Sequence, residues 1–477
     1  MIRSRGADAV VLGGGLSGLS AAYTLSKADR RVVLIERDCE VGGLAKTATH
    51  RGFRFDLGGH RFMTDNPAIE SLVKDLLRDE LLIVPRKSRI YMLGKFFDYP
   101  PNPANAVFGL GPSKTAKIIF DYCREQAAGL FGSPDIVSLE DWTVNRFGRE
   151  MFELYFKQYS EKVWGMGCKE ISGEWAASRI DGLSLWKAVK NSLFKLKNGK
   201  IRTLTDRFYY PAQGIGRLSE RLKDEIEKDN TILTGSEVVR IRHENFNIKH
   251  IAVCRQGVEM DLQGREYISS IPVTSLVKRL YPRPPYEVLE AASQLRFRDL
   301  VIVALMLDRK SLTDLTWMYL PEKDIPFGRI HEPKNWSPFM SPEDKTHVVA
   351  EYFCSRGDGI SGAGDEALIN LTVRHMEKLG FIKACEVFDA CVLRVPNAYP
   401  VFDVYFKDRL KIIMDYLDRF GNLHTAGRNG RFSYLNMDRA MESGIEAAEA
   451  ILGKPAEKIK LRSEPDEVRP YHTRMVA

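Results

Sequence analysis

Residues 9–18 read Ala-Val-Val-Leu-Gly-Gly-Gly-Leu-Ser-Gly, and a second apolar run, Val32-Val33-Leu34-Ile35, closes on Glu36. That order is a buried strand, a glycine turn, a helix, and a second buried strand ending in an acid. Gly13, Gly15 and Gly18 form a G-x-G-x-x-G pattern. The first glycine permits a tight turn, the second lets the backbone approach a pyrophosphate, and the third lets helix and strand pack closely. The pyrophosphate would lie on the helix N-terminus at Leu16 and Ser17, where free N–H groups and the helix dipole favour an anion. Glu36 stands about 20 residues on, where an acid accepts hydrogen bonds from a ribose hydroxyl. An acid there favours FAD or NAD over NADP, whose 2′-phosphate it would repel. Arg37 follows it as a further candidate cofactor residue.

Composition adds bounds. A chain of 477 residues has room for two or more structural units and a large core. Its hydrophobic fraction of 44% and charged fraction of 28% are those of an ordinary globular protein. The net charge of +7 is dispersed, which suits an anionic small molecule and does not argue for nucleic acid. No run of about 18 apolar residues suggests a membrane span. No signal-peptide core precedes the first strand, and the seven cysteines form no C-x-x-C. The expectation is a cytoplasmic protein with reduced thiols and no metal centre.

The pattern along the chain predicts a discontinuous organisation. A dinucleotide-binding unit is expected from segments 1–65, 205–280 and 400–453. Segment 66–204 reads as mainly helical, segment 281–399 as a sheet-containing substrate unit, and 454–477 as a polar tail. Strands are expected at Thr231–Leu233, Glu237–Ile241, Leu300–Leu307, His347–Phe353, Ala390–Val395 and Leu423–Gly427, with a last helix over Asp438–Leu452. Val238, in the second of these strands, joins the candidate cofactor residues. Between Lys187 and Arg207 seven basic residues face a single acid, Asp206. That run is either a cationic rim for an anionic substrate or simply a solvated surface.

Further clusters follow the opening motif. Gly42-Gly43-Leu44 comes soon after Glu36, with Gly43 and Leu44 placed to meet the cofactor's phosphates. Phe55-Asp56-Leu57-Gly58-Gly59-His60 is a glycine turn that could set His60 beside a reactive ring; the alternative is a hydrogen-bonded loop histidine. Near the end, Ala426-Gly427-Arg428 leads through Tyr434, Asn436 and Met437 into an alanine-rich helix. This ending resembles the C-terminal FAD segment of flavoproteins with a glutathione-reductase-type fold. There the N-terminus of the last helix stabilises negative charge on the reduced ring. The expected fold class is therefore α/β: a Rossmann-like FAD domain of glutathione-reductase type with a helical insertion and a mixed-sheet substrate domain.

More narrowly, the chain resembles the UDP-galactopyranose mutase family, within the broader group of amine oxidases, protoporphyrinogen oxidases and phytoene desaturases. Gly59-His60-Arg61-Phe62 resembles that family's loop over the flavin. Tyr159-Ser160-Glu161-Lys162-Val163-Trp164-Gly165 resembles the segment whose tyrosine and tryptophan hold the uracil. Tyr399-Pro400-Val401, and Gly427-Arg428 with Tyr434, resemble the loops that bind the diphosphate. The resemblance implies FAD as cofactor and chemistry at flavin N5 on a nucleotide-linked sugar, without net redox. It makes His60, Arg428, Tyr434 and Tyr399 candidate catalytic residues, and Tyr159, Trp164 and Arg179 candidate substrate contacts. Arg428 suits a departing diphosphate because a guanidinium can hold two phosphate oxygens at once. Each has a plain alternative: Trp164 as a core residue, Tyr399 as a strand end, Arg428 and Arg179 as surface charges.

The chain also departs from the mutase pattern. Met63 and Asn436 stand where prokaryotic mutases usually carry a histidine and an acid, and no arginine occurs near Leu183-Ser184. These departures leave the particular sugar open. A FAD oxidoreductase taking hydride from an apolar substrate is the second reading, and a non-catalytic FAD-binding protein the third. Leu44-Ala45 lacks the arginine many amine oxidases carry there, which disfavours an amine. The expected partner is a small anionic nucleotide sugar, with no nucleic acid, no membrane span and a homodimer left open.

Overall fold

The computed structural model describes residues 6–99, 109–129, 135–180 and 207–453, the side chains of 129 and 178–180 excepted. Its opening strand, Ala7–Leu12, is at the centre of a five-stranded sheet. The strand order is Leu423–Thr425, Gly264–Ser269, Ala7–Leu12, Val32–Ile35 and Thr231–Leu233, and every pairing is parallel. Three distant stretches of chain thus supply one sheet. Val32-Val33-Leu34-Ile35 is apolar throughout because such a sheet is covered on both faces. The helices Leu16–Ser26, Gly216–Ile226 and Met437–Ile451 contribute to the core around it.

Glycine sets the tightest approaches. Gly13 has φ +101°, which L side chains rarely adopt, and a Cβ on it would come within 2.5 Å of Ser270 Oγ. A Cβ on Gly18 would fall onto the carbonyl oxygen of Gly13, so the first helix can close on the first strand only with glycine there.

A second, seven-stranded sheet runs Val387–Pro400, Phe297–Leu307, Thr346–Cys354, Arg329–His331, Trp317–Tyr319, Ser88–Met92 and Lys95–Tyr99. Two of its strands therefore come from the segment expected to be mainly helical, which also holds the strand Leu81–Pro85. That segment's helices are Pro67–Leu77, Pro112–Gly129, Leu139–Phe147, Gln158–Trp164 and Gly173–Ile180. A π-helical turn, Phe152–Lys157, directly precedes the helix Gln158–Trp164. A four-stranded sheet, in the order Val258–Leu262, Asn247–Arg255, Ser236–Glu244 and Leu280–Tyr281, completes the sheets near the site. The basic run 187–206 and the tail 454–477 lie outside the described residues.

Candidate active site

In a doubly wound sheet, ligands bind beyond the carboxyl ends of the parallel strands. Here each of those ends opens on one cavity of about 340 Å³, lined by Gly13, Glu36, Ser236, Ser270 and Gly427, among others. The first helix begins at its rim. Gly15 is its N-cap, no side chain caps it, and its first turn carries no acid, so its N–H groups remain available to an anion. Across the cavity Gly43 packs on Gly15, where a Cβ on Gly43 would come within 3.1 Å of the Gly15 Cα. Glu36 is 8% exposed and accepts from the backbone N–H groups of Gly14 (2.6 Å) and Asp38 (2.9 Å). Those bonds fix the carboxylate at the cavity wall.

The structure brings most of the expected cofactor residues to this cavity. Leu16, Ser17, Arg37, Gly43, Leu44 and Val238 line it, as do His60, Arg428, Asn436 and Met437. Gly427 lines it at φ +80°, and a Cβ there would meet Ser17 Oγ at 2.5 Å. Three expected residues stand behind the wall. Gly18 serves the helix–strand contact. Gly58 and Gly59 pack against Glu351, and the Gly58 carbonyl lies 3.1 Å from His60 Nδ1. Their place is therefore the support of His60 rather than the cavity lining.

His60 belongs to a cationic, tyrosine-rich end. Burial, and then the charge of Arg428, pushes its imidazole down to about 4, so it is neutral at ordinary pH. Arg428 is tied by Nε and Nη2 to the Leu435 carbonyl (2.9 and 2.7 Å) and by Nη1 to that of Ala398 (3.2 Å). Its guanidinium lies 4.7 Å from the Tyr434 ring centre and 5.6 Å from that of Tyr399. The two tyrosines stack at 6.1 Å with a 20° interplanar angle. Arg329 donates to Tyr399 Oη (2.9 Å) and to Glu351 (2.5 Å). Burial alone would raise the Glu351 carboxyl, but Arg329 and His331 hold it down at about 2. Glu351 also accepts from Gly59 N at 3.2 Å, joining the glycine turn to this ion pair.

The segment from Tyr159 to Trp164 divides. Tyr159 packs edge-on to Tyr319 at 5.6 Å, and burial places its hydroxyl well above its ordinary value against the opposing charge of Arg329. Trp164 is only 4% exposed, edge-on to Trp175 (4.8 Å) and Phe402 (6.1 Å), inside the core and away from the cavity lining. The alternative of a core residue describes its position. Lys162 Nζ donates to the carbonyls of Leu320, Glu322 and Ile325 (2.6, 2.6 and 2.9 Å), pinning this helix to the neighbouring loop. Arg179 is on the helix Gly173–Ile180, with its side chain outside the described residues.

Sequence reasoning missed Arg329, Glu351 and Tyr319. Glu351 had a readable signal: it is the one carboxylate in Val348-Val349-Ala350-Glu351-Tyr352-Phe353, a run otherwise fit for a fully buried strand. Arg329 and Tyr319 are on three-residue strands that pair with each other and are too short to show a period in the sequence.

A Rossmann-like sheet, a glycine-lined cavity at its switch point and an uncapped helix N-terminus define a dinucleotide-binding α/β protein. The chain belongs to the flavin containing amine oxidoreductase family, whose model matches residues 16–452. It is a FAD-dependent enzyme of that family. Coproporphyrinogen III oxidase of Bacillus subtilis (strain 168) is 23% identical over 453 residues, covering 86% of this chain and 90% of the relative. Reduced UDP-galactopyranose mutase superposes with TM-score 0.80 at 19% identity over 94% of each chain. Cyclohexylamine oxidase of Brevibacterium oxydans IH-35A does so with TM-score 0.66 at 15% identity, over 94% of this chain and 99% of that one. No described helix is long and apolar enough to cross a membrane.

Proposed function

We propose that this enzyme acts through flavin N5 on a nucleotide-linked sugar or related glycosyl substrate. One observation carries the reading: Arg428 and the neutral His60 line the cavity, and behind Arg428 the stacked Tyr399 and Tyr434 and the Tyr399-bound Arg329 extend the cationic cluster, an arrangement suited to a diphosphate rather than an apolar ring. FAD supplies the reacting atom when bound. In this reading the N–H groups at Gly15–Ser17 take its pyrophosphate, Glu36 the adenosine ribose, and the turn at Asn436 and Met437 the flavin end. Gly43, Leu44, Arg37 and Val238 form walls. Arg428 and Arg329 hold the leaving diphosphate by charge, with Tyr399 and Tyr434 as hydroxyl partners. His60, neutral, can exchange a hydrogen bond without adding charge.

The test is incubation of UDP-galactopyranose and other nucleotide sugars with the dithionite-reduced enzyme. A ring isomer of the sugar is expected. The full-length likeness to coproporphyrinogen III oxidase favours a second reading, net hydride transfer from an apolar substrate. Oxidised product with reduced flavin, and no sugar isomer from any nucleotide donor, would displace the first reading by the second.

A further inference from the structure

Next to the Arg428 end are two arginines that the fold leaves without counter-charges. Arg61 directly follows His60, and Arg86 precedes the strand Ser88–Met92. Their guanidinium groups lie 5.1 and 5.5 Å from the ring centre of Trp317, and Arg86 lies 5.0 Å from that of Tyr99. The sheet builds this convergence: Trp317 pairs with Ser88, and Ser88 with Tyr99, on adjacent strands. Arg86 Nε donates to Ser88 Oγ at 3.2 Å. Nη1 of Arg61 and Nη2 of Arg86 are sealed from solvent and have no hydrogen-bond partner. Neither arginine forms an ion pair among the described residues.

A structural arginine in this protein looks different. Arg298 spends its guanidinium on the carbonyls of Val163, Lys162 and Phe353 and on the Ser355 hydroxyl. Arg61 and Arg86 instead both lie against Trp317, each with one buried donor unpaired. Burial, and then the charge of Arg86, pulls Arg61 below the usual arginine range. Two like charges on one indole, with orphaned donors, fit a group that is anionic and rich in acceptors. Arg61 directly follows His60, which lines the cavity beside Arg428, so the pair is tethered to the cationic end already described.

We propose that Arg61 and Arg86 form a second anion subsite, which binds a phosphate group of the substrate by the forked N–H donors of both guanidiniums. This rests on the preceding reading, because it takes the Arg428 side of the cavity as the substrate end, with Arg61 and Arg86 standing behind the lining rather than in it. It asks that the substrate present phosphate to both the Arg428 and the Arg61–Arg86 positions, whether from a nucleotide or from a lipid-linked diphosphate.

Calorimetric titration of the FAD-loaded enzyme with inorganic pyrophosphate tests it, in wild type and in Arg61→Met, Arg86→Met, Arg86→Lys and Arg428→Met. Methionine keeps an apolar stem on the indole and removes the charge. Affinity is expected to fall about ten- to a hundredfold in Arg61→Met and in Arg86→Met, and less in Arg86→Lys, while FAD content and melting temperature stay at the wild-type values. Absence of pyrophosphate binding, or loss of it in Arg428→Met alone, overturns the proposal. UDP and a short-chain prenyl diphosphate, titrated in parallel, separate the two sources of phosphate. Pyrophosphate loss in both methionine variants without isomerisation of any nucleotide sugar would uphold the subsite and fell the nucleotide-sugar reading. Unchanged pyrophosphate affinity in both, with isomerisation intact, would do the reverse.

Discussion

Glu351 carries more of the site than any other single side chain described. It is 1% exposed, pairs with Arg329 and holds the amide of Gly59, so it sets both the cationic end and the turn that carries His60. Glu351→Gln leaves Arg329 buried without its counter-charge, and should cost about 3–5 kcal/mol in denaturant unfolding near neutral pH. The acid side fixes the sign. The folded carboxyl sits at about 2 against an ordinary 4.5, so its stabilisation is complete above about pH 4.5 and lost as pH falls toward 2. The gap between wild type and variant should therefore close over that window. His60 gives a second check. Its folded value near 4 lies below the ordinary 6.5, so it stays neutral through the working range. NMR of ring-labelled histidines should show one resonance, removed in His60→Gln, that does not titrate between about pH 5 and 8.

At the scale of elements, the cavity depends on two helices meeting almost in backbone contact. A Cβ on Gly444, in Met437–Ile451, would strike the carbonyl oxygen of Ser17 in Leu16–Ser26. Gly444→Ala must push these helices apart at the rim. It should destabilise the protein by about 1–3 kcal/mol and release FAD more readily, as read by flavin fluorescence during dilution. The elements readable in the sequence were those with long apolar runs or glycine signatures. Val32–Ile35, Leu423–Thr425 and the final helix stand within a residue or two of where their patterns end. The strands Ser88–Met92 and Lys95–Tyr99, the last two of the large sheet, were missed because both are half-exposed and lack clean alternation. Trp317–Tyr319 and Arg329–His331 are too short for any period to register. Trp164 misleads for a related reason: an aromatic beside charged residues has the same local pattern in a core as on a binding face.

At the scale of the molecule, one parallel sheet gathers its strands from three remote stretches, and the cavity stands where all of them end. Glycine spacing pointed to the residues that line the cavity, because a phosphate-binding turn is local to one loop and one helix. The proposed substrate half was legible only in part: Arg428, Tyr399 and Tyr434 by resemblance, while Arg329 meets Glu351 through sheet pairing and Arg61 and Arg86 meet over Trp317 only in the fold. The cavity is lined from all three stretches, so if FAD fills it as proposed, removing it should lower the melting temperature. Free FAD at a thousandfold its dissociation constant should restore about 4 kcal/mol. The most direct measurement of the account is a UDP titration of the FAD-loaded enzyme followed by the flavin absorption spectrum, in wild type and in an Arg428→Met variant that retains FAD. A saturable spectral change in the wild type, lost in the variant, is predicted; no change in the wild type, or the same change in both, would contradict it.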